Sequence, residues 1–79
     1  MTATTEYLFV QTYPGWRGAV ADALRAVVGV AEATETIGPY DVLARVEAAD
    51  VPFADGIAER ARRIDGVLRV LSAQVTTAA

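Results

Sequence analysis

The strongest constraint on this chain is a change of apolar periodicity that occurs twice, in the same order, within 79 residues. A helical pattern that stops at glycine and passes into a strand appears at two places with an offset of 37: Val20, Leu24, Arg25, Val27, Gly29 and Val30 correspond to Ile57, Ala61, Arg62, Ile64, Gly66 and Val67. Repetition of one such unit in so short a chain points to two interlocking halves rather than two domains, and the chain reads as a single domain over 1–79 with an ordered core at about 6–76.

The local signals complete each half. Tyr7 to Tyr13 is rich in aromatic and β-branched residues and ends at Pro14-Gly15, which reads as a strand and a turn. Trp16, Val20, Leu24 and Val27 recur at helical spacing, and Gly29 is a natural stop. Ala31 to Ile37 and Asp41 to Glu47 alternate as two strands joined by Gly38-Pro39-Tyr40, with Val42, Ala44 and Val46 on one face. Asp50 is placed to cap a second helix whose first turn tolerates Pro52, and Phe53, Ile57, Ala61 and Ile64 give that helix an apolar face. Glu59 is spaced to pair with Arg62 or Arg63, which read as a solvated helix end. Asp65-Gly66 ends the helix, Val67 to Val75 is the last strand, and 76–79 reads as a frayed tail. The order βαββαβ predicts an α+β, ferredoxin-like fold: a four-stranded antiparallel sheet with both helices on one face.

That arrangement leaves one sheet face open, and the strands are apolar on both faces. Leu8 and Val10 oppose Tyr7, Phe9 and Tyr13 in the first strand, and Leu71 and Val75 oppose Leu68 and Val70 in the last. An open apolar face predicts cover by a second copy, a face-to-face homodimer of the dimeric α/β-barrel type with Tyr7, Phe9, Tyr13, Leu68 and Val70 at the interface. Trp16 is expected to pack at the base of the first helix or at an interface. Arg45 and Glu47 read as cross-strand surface charges.

Composition restricts the chemistry. There is no histidine, cysteine or lysine, so a disulfide framework, a thiolate nucleophile and the commonest metal ligands are missing, and no catalytic residue, metal site or cofactor is expected. Seven arginines stand against ten acidic residues for a net charge of −3, which disfavours a direct nucleic-acid partner. The most apolar stretch, Gly18 to Ala33, is broken by Asp22, Arg25 and Glu32, so no membrane span is expected. No basic segment leads into an apolar core near the N-terminus, so there is no signal-peptide pattern and the protein is expected in the cytoplasm.

Four segments in order, Tyr7 to Gly15, Gly29 to Ala33, Gly38 to Val46 and Ile64 to Arg69, together resemble the ligand-binding (RAM) domain of the Lrp/AsnC, or feast/famine, transcriptional regulators. The resemblance spans roughly Tyr7 to Val75. Family regulators carry a helix-turn-helix domain ahead of this unit, whereas here the first strand begins within ten residues of Met1, so the chain resembles the stand-alone form without its own DNA-binding part. The resemblance implies a non-enzymatic effector-binding and oligomerisation module that dimerises through its sheet and assembles into rings of dimers. It would bind a small effector, usually an amino acid, near the loop between the second and third strands, and would modulate transcription or metabolism through assembly. Full-length Lrp/AsnC regulators are further partners under this reading. In this sequence the site would be Gly38, Pro39, Tyr40 and Asp41, with Ser72 or Gln74 of the last strand adding a polar contact. Gly38 would let backbone N–H groups approach a carboxylate, Asp41 would accept from an ammonium, and Tyr40 offers a ring and a hydroxyl. The same four loop residues also suffice as a plain hairpin turn. The pattern departs from the family at Ile37, where a small hydroxyl residue is common, and at Val70 and Leu71, which make the pocket less polar. Two other classes share the element order: an ACT-like regulatory domain and a small dimeric α/β-barrel enzyme.

Overall fold

A computed structural model describes residues 2–78. It contains β1 (Thr2–Thr12), α1 (Arg17–Arg25), β2 (Val30–Glu35), β3 (Val42–Ala48), α2 (Val51–Arg62) and β4 (Val67–Ala78). All strand pairs are antiparallel, in the order β2-β3-β1-β4. This is the ferredoxin-like arrangement, with the two halves interleaved so that β1 of one half lies between β3 and β4 of the other.

The core lies between the sheet and the helices. Leu8 and Val10 from β1, Val42, Ala44 and Val46 from β3, and Ala33 from β2 meet Val20, Ala21 and Leu24 of α1 and Ile57, Ala58 and Ala61 of α2. Small residues dominate the α2 face, which lets that helix approach the sheet closely. Phe53 does not join this face as expected; it is 52% exposed, because Ala54 takes the inward position of the first turn. Asp50 caps α2 as expected, its carboxylate accepting from the Phe53 N–H at 2.9 Å. Glu59 and Arg62 pair at 3.3 Å.

The two halves are fastened by an exchange. Gly66, at the α2–β4 turn, carries the ring of Trp16 so closely that a Cβ there would lie 2.5 Å from it. Gly29, at the α1–β2 turn, lies under Ile57 and Phe53, where a Cβ would collide with the Ile57 Cδ1 and stand 3.6 Å from the Phe53 ring. Trp16 and Phe53 are equivalent in the repeat, and each lies over the other half's helix-stop glycine, Trp16 tightly and Phe53 at ordinary contact distance beside the closer Ile57. The glycine carbonyls reinforce this: Gly66 accepts from Tyr13 N–H at 2.9 Å, and Gly29 accepts from Glu47 N–H at 3.0 Å. Both glycines have φ above +90°, a region that penalises any side chain.

Strand boundaries shift from the expected ones. β1 begins at Thr2 rather than Tyr7, and β4 continues to Ala78 opposite Thr2, so 76–78 extend the ladder instead of forming a frayed tail. Met1 and Ala79 lie outside the described residues. β2 ends at Glu35, leaving Ile37 99% exposed in the following loop.

Replacing Gly66 with Ala forces a methyl into the Trp16 indole and imposes a left-handed backbone on a side chain, a loss of about 2–4 kcal/mol in urea denaturation. Gly29→Ala meets only the movable end of Ile57, so it loses less, about 1–2 kcal/mol. Equal losses at the two positions would show that the indole seat contributes nothing.

Candidate functional site

The β2–β3 loop is held by hydrogen bonds to β1 and within itself, and its residues are divided between two sides of the sheet. Asp41 N–H donates to Val10 O at 2.8 Å, and its Oδ2 accepts from Thr12 N–H at 2.8 Å, so the loop clamps the end of β1. Gln11 Nε2 donates to Pro39 O at 2.9 Å, and Thr36 Oγ1 donates to Tyr40 O at 2.8 Å. A Cβ at Gly38 would meet nothing within 4 Å, so its backbone is accessible. Tyr40 turns to the open face, its ring 5.7 Å from that of Phe9.

Asp41 faces a cavity of about 400 Å³ on the other side, formed with Thr12, Tyr13, Pro14, Gly15, Arg17, Gly18 and Glu35. Arg17 Nε lies 3.3 Å from Glu35 Oε1, and its Nη1 donates to Thr36 O at 3.1 Å. Here α1 starts at Trp16 with no side-chain cap, in contrast to Asp50 at α2. Its first turn contains no acidic residue and opens on Arg17, a cation where the helix dipole disfavours one. The cavity therefore presents a guanidinium and two carboxylates within one small volume, beside a helix start that has no side-chain cap.

Ser72 and Gln74 are not brought to this loop within the chain. They lie on β4, beyond β1, opposite Leu8 and Glu6. Gln74 is four positions along β1 from the Asp41 contact at Val10, about 13 Å at strand spacing. Its amide is engaged with Glu6 and Asp55, at 3.0 and 2.8 Å.

The open face is organised in rows across the sheet. Register places Thr34, Leu43, Phe9 and Leu71 in one row, Glu32, Arg45, Tyr7 and Ala73 in the next, and Glu47, Thr5 and Val75 in a third. Leu71 and Val75 are 50% and 51% exposed. Val70, expected on this face, instead points to the helices and is 8% exposed, because its partner Val10 belongs to the core. Tyr13 is also displaced: β1 ends at Thr12 after a register shift beyond Gln11, which sends Tyr13 into the turn and the cavity wall. Leu68 lies beside that irregularity and is exposed. Tyr7 and Phe9 occupy the open face as expected. On the β2–β3 side Arg45 pairs with Glu47 at 2.6 Å and approaches Glu32 at 3.7 Å, and on β4 the exposed Arg69, opposite Gln11, adds a further cation to this face. The Thr5 hydroxyl, 2.7 Å from Glu47, and the Arg45 guanidinium hold the Glu47 carboxyl below its ordinary range.

Among the described residues no group of three or more acidic residues is placed to hold a metal ion, and no helix is long and apolar enough to cross a membrane.

The structure is that of a small ferredoxin-like domain with a clamped β2–β3 loop and an open apolar face. The profile of the Lrp/AsnC ligand binding domain matches residues 5–78, and the chain belongs to that family. Among solved structures it is similar to TTHA0845 from Thermus thermophilus, with 25% identity over 96% of both chains and a TM-score of 0.87. It is also similar in fold to an AsnC family transcriptional regulator from Agrobacterium tumefaciens, at 22% identity over 94% of this chain and 50% of that one, with a TM-score of 0.77. Escherichia coli AsnC gives 15% identity over 91% of this chain and 50% of that one, with a TM-score of 0.79. The chain thus spans about half of these two regulators and nearly all of the Thermus protein. A comparison with curated proteins finds no match. The family match separates the chain from the ACT-like alternative.

Asp41→Ala removes the acceptor for Thr12 N–H and lowers stability by about 1–2 kcal/mol without any ligand present, measured by urea denaturation. Asp41→Asn, which keeps an acceptor oxygen, loses less. Undiminished stability in Asp41→Ala would show that the clamp is not part of the fold's support.

Proposed function

We propose that this protein is an effector-binding regulatory domain that pairs through its open sheet face and takes a small zwitterion, an amino acid or a close relative, in the cavity beside the β2–β3 loop. The observation that carries this reading is the cavity's opposed charge: Arg17 beside Glu35 and Asp41 in about 400 Å³, within the roughly 300–1,000 Å³ of small-molecule clefts. A ligand carboxylate suits Arg17 and the uncapped N–H groups of α1, and a ligand ammonium suits Glu35 and the free oxygen of Asp41. Gly38 and Pro39 form the adjoining rim. The family's regulatory character supports a binding role rather than catalysis.

The apolar rows of the open face support pairing with a second copy. Phe9, Leu71, Ala73 and Val75 make a continuous apolar strip, and a strip of this kind favours a two-fold, self-complementary contact. In this reading the charged side of the face, around Arg45, forms the interface rim. Rings of dimers and mixed assembly with longer Lrp/AsnC regulators are extensions of the same reading, which places the protein in the cytoplasm.

Two measurements test it. In a thermal-shift screen of the twenty amino acids, a ligand at about 100 times its Kd adds about 2.7 kcal/mol, a shift of several degrees for a domain of this size. The shift is lost in Arg17→Met, and absence of a shift with every amino acid at millimolar concentration overturns the zwitterion reading. Light scattering is expected to give at least twice the chain mass of 8.4 kDa, and Leu71→Asp is expected to reduce it to the single-chain value. A wild-type mass of one chain at micromolar concentration overturns the pairing.

A further inference from the structure

β1 carries a carboxyl group into the layer between the sheet and α2. Glu6 is 1% exposed, on the same strand face as Leu8 and Val10, with Val46 of β3 and Gln74 of β4 as its neighbours in register. Its Oε2 accepts from Gln74 Nε2 at 3.0 Å, while the same amide nitrogen donates to Asp55 Oδ1 of α2 at 2.8 Å. Its Oε1 is buried and has no hydrogen-bond partner among the described residues.

The charges facing Glu6 come from α2 alone. Asp55 repels an ionised Glu6; Arg62, the nearby cation among the described residues, favours it weakly and is engaged with Glu59 at 3.3 Å. Its register partners on β3 and β4 are the neutral Val46 and Gln74. One neutral amide therefore serves two carboxylates, and an ionised Glu6 leaves a buried oxygen without a partner among the described residues, which penalises the charged form. Burial pushes the Glu6 carboxyl above its ordinary range, the Gln74 bond opposes this, and Asp55 adds to the rise. A proton on Glu6 removes both the buried charge and the repulsion from Asp55.

We propose that Glu6 is a proton-operated latch: as a neutral acid it allows α2 to pack on β1 and β4, and its ionisation loosens α2 from the sheet. The native state holds this proton more tightly than the unfolded chain does. Stability from the latch is therefore complete below the unfolded carboxyl value and is lost as pH rises through the folded one. Each pH unit separating the two values changes the folding constant about tenfold. The device is independent of any ligand in the β2–β3 cavity, so it stands or falls apart from the proposed effector.

The test is urea denaturation of wild type and Glu6→Gln from about pH 4 to about pH 8, with hydrogen exchange of the α2 amides. The two proteins are expected to match at the acid end. Above the ordinary glutamate range the wild type loses stability and α2 protection relative to Glu6→Gln. Carbon-13 titration of the side-chain carboxyls in the wild type is expected to show one glutamate ionising above the other four. Asp55→Asn moves that titration, and the fall in stability, to lower pH. The carbon-13 titration decides the matter even if Glu6→Gln does not fold. A Glu6 that titrates with the other glutamates overturns the latch, as do parallel stability profiles for wild type and Glu6→Gln.

Discussion

The fold depends on the exchange in which each half's helix packs over the other half's helix-stop glycine. A chain of 79 residues has a thin core, here built largely from valine and alanine, and such a core does not by itself orient two short helices. Trp16 packs on Gly66, Ile57 with Phe53 beside it packs on Gly29, and the glycine carbonyls tie the incoming strands to the same points. Because each contact joins one half to the other, neither helix–strand unit completes its packing alone. That explains how a repeat detectable in the sequence becomes one cooperative unit.

The β2–β3 loop shows how local chemistry divides between two surfaces. Asp41 faces the cavity and closes the end of β1, while its neighbour Tyr40 lies against Phe9 on the open sheet. Adjacent residues thus belong to the two surfaces that matter for the proposed activity. Hydrogen bonds between the loop and β1, and within the loop itself, hold this division in place.

The element order and the core are legible in the sequence because they rest on period and on strong stop signals. Val42, Ala44 and Val46 alternate in the sequence and are all buried; Asp50 has the right spacing to cap α2 and does. What periodicity misses depends on register or on distant partners. Starting β1 at Tyr7 leaves Glu6 outside the strand, although its spacing of two from Leu8 places it on the core face. The irregularity after Gln11 moves Tyr13 off the sheet, and the pairing of Val70 with Val10 decides its face, neither of which the pattern within one strand reveals. Arg17 carries a readable signal, a cation at a helix start against the dipole. Ser72 and Gln74 are grouped with the loop only by family resemblance, and the strand order separates them from it.

The two helix starts are related by the repeat, yet Asp50 seals one and nothing seals the other. In a fold made of two similar halves, each half is a control for its twin: the arrangement sufficient for stability is visible in the capped copy. The bare helix start at Trp16 is thus a departure from a solution the same chain already contains. The asymmetry between the halves therefore falls at the end of the domain that carries Arg17, Glu35 and Asp41.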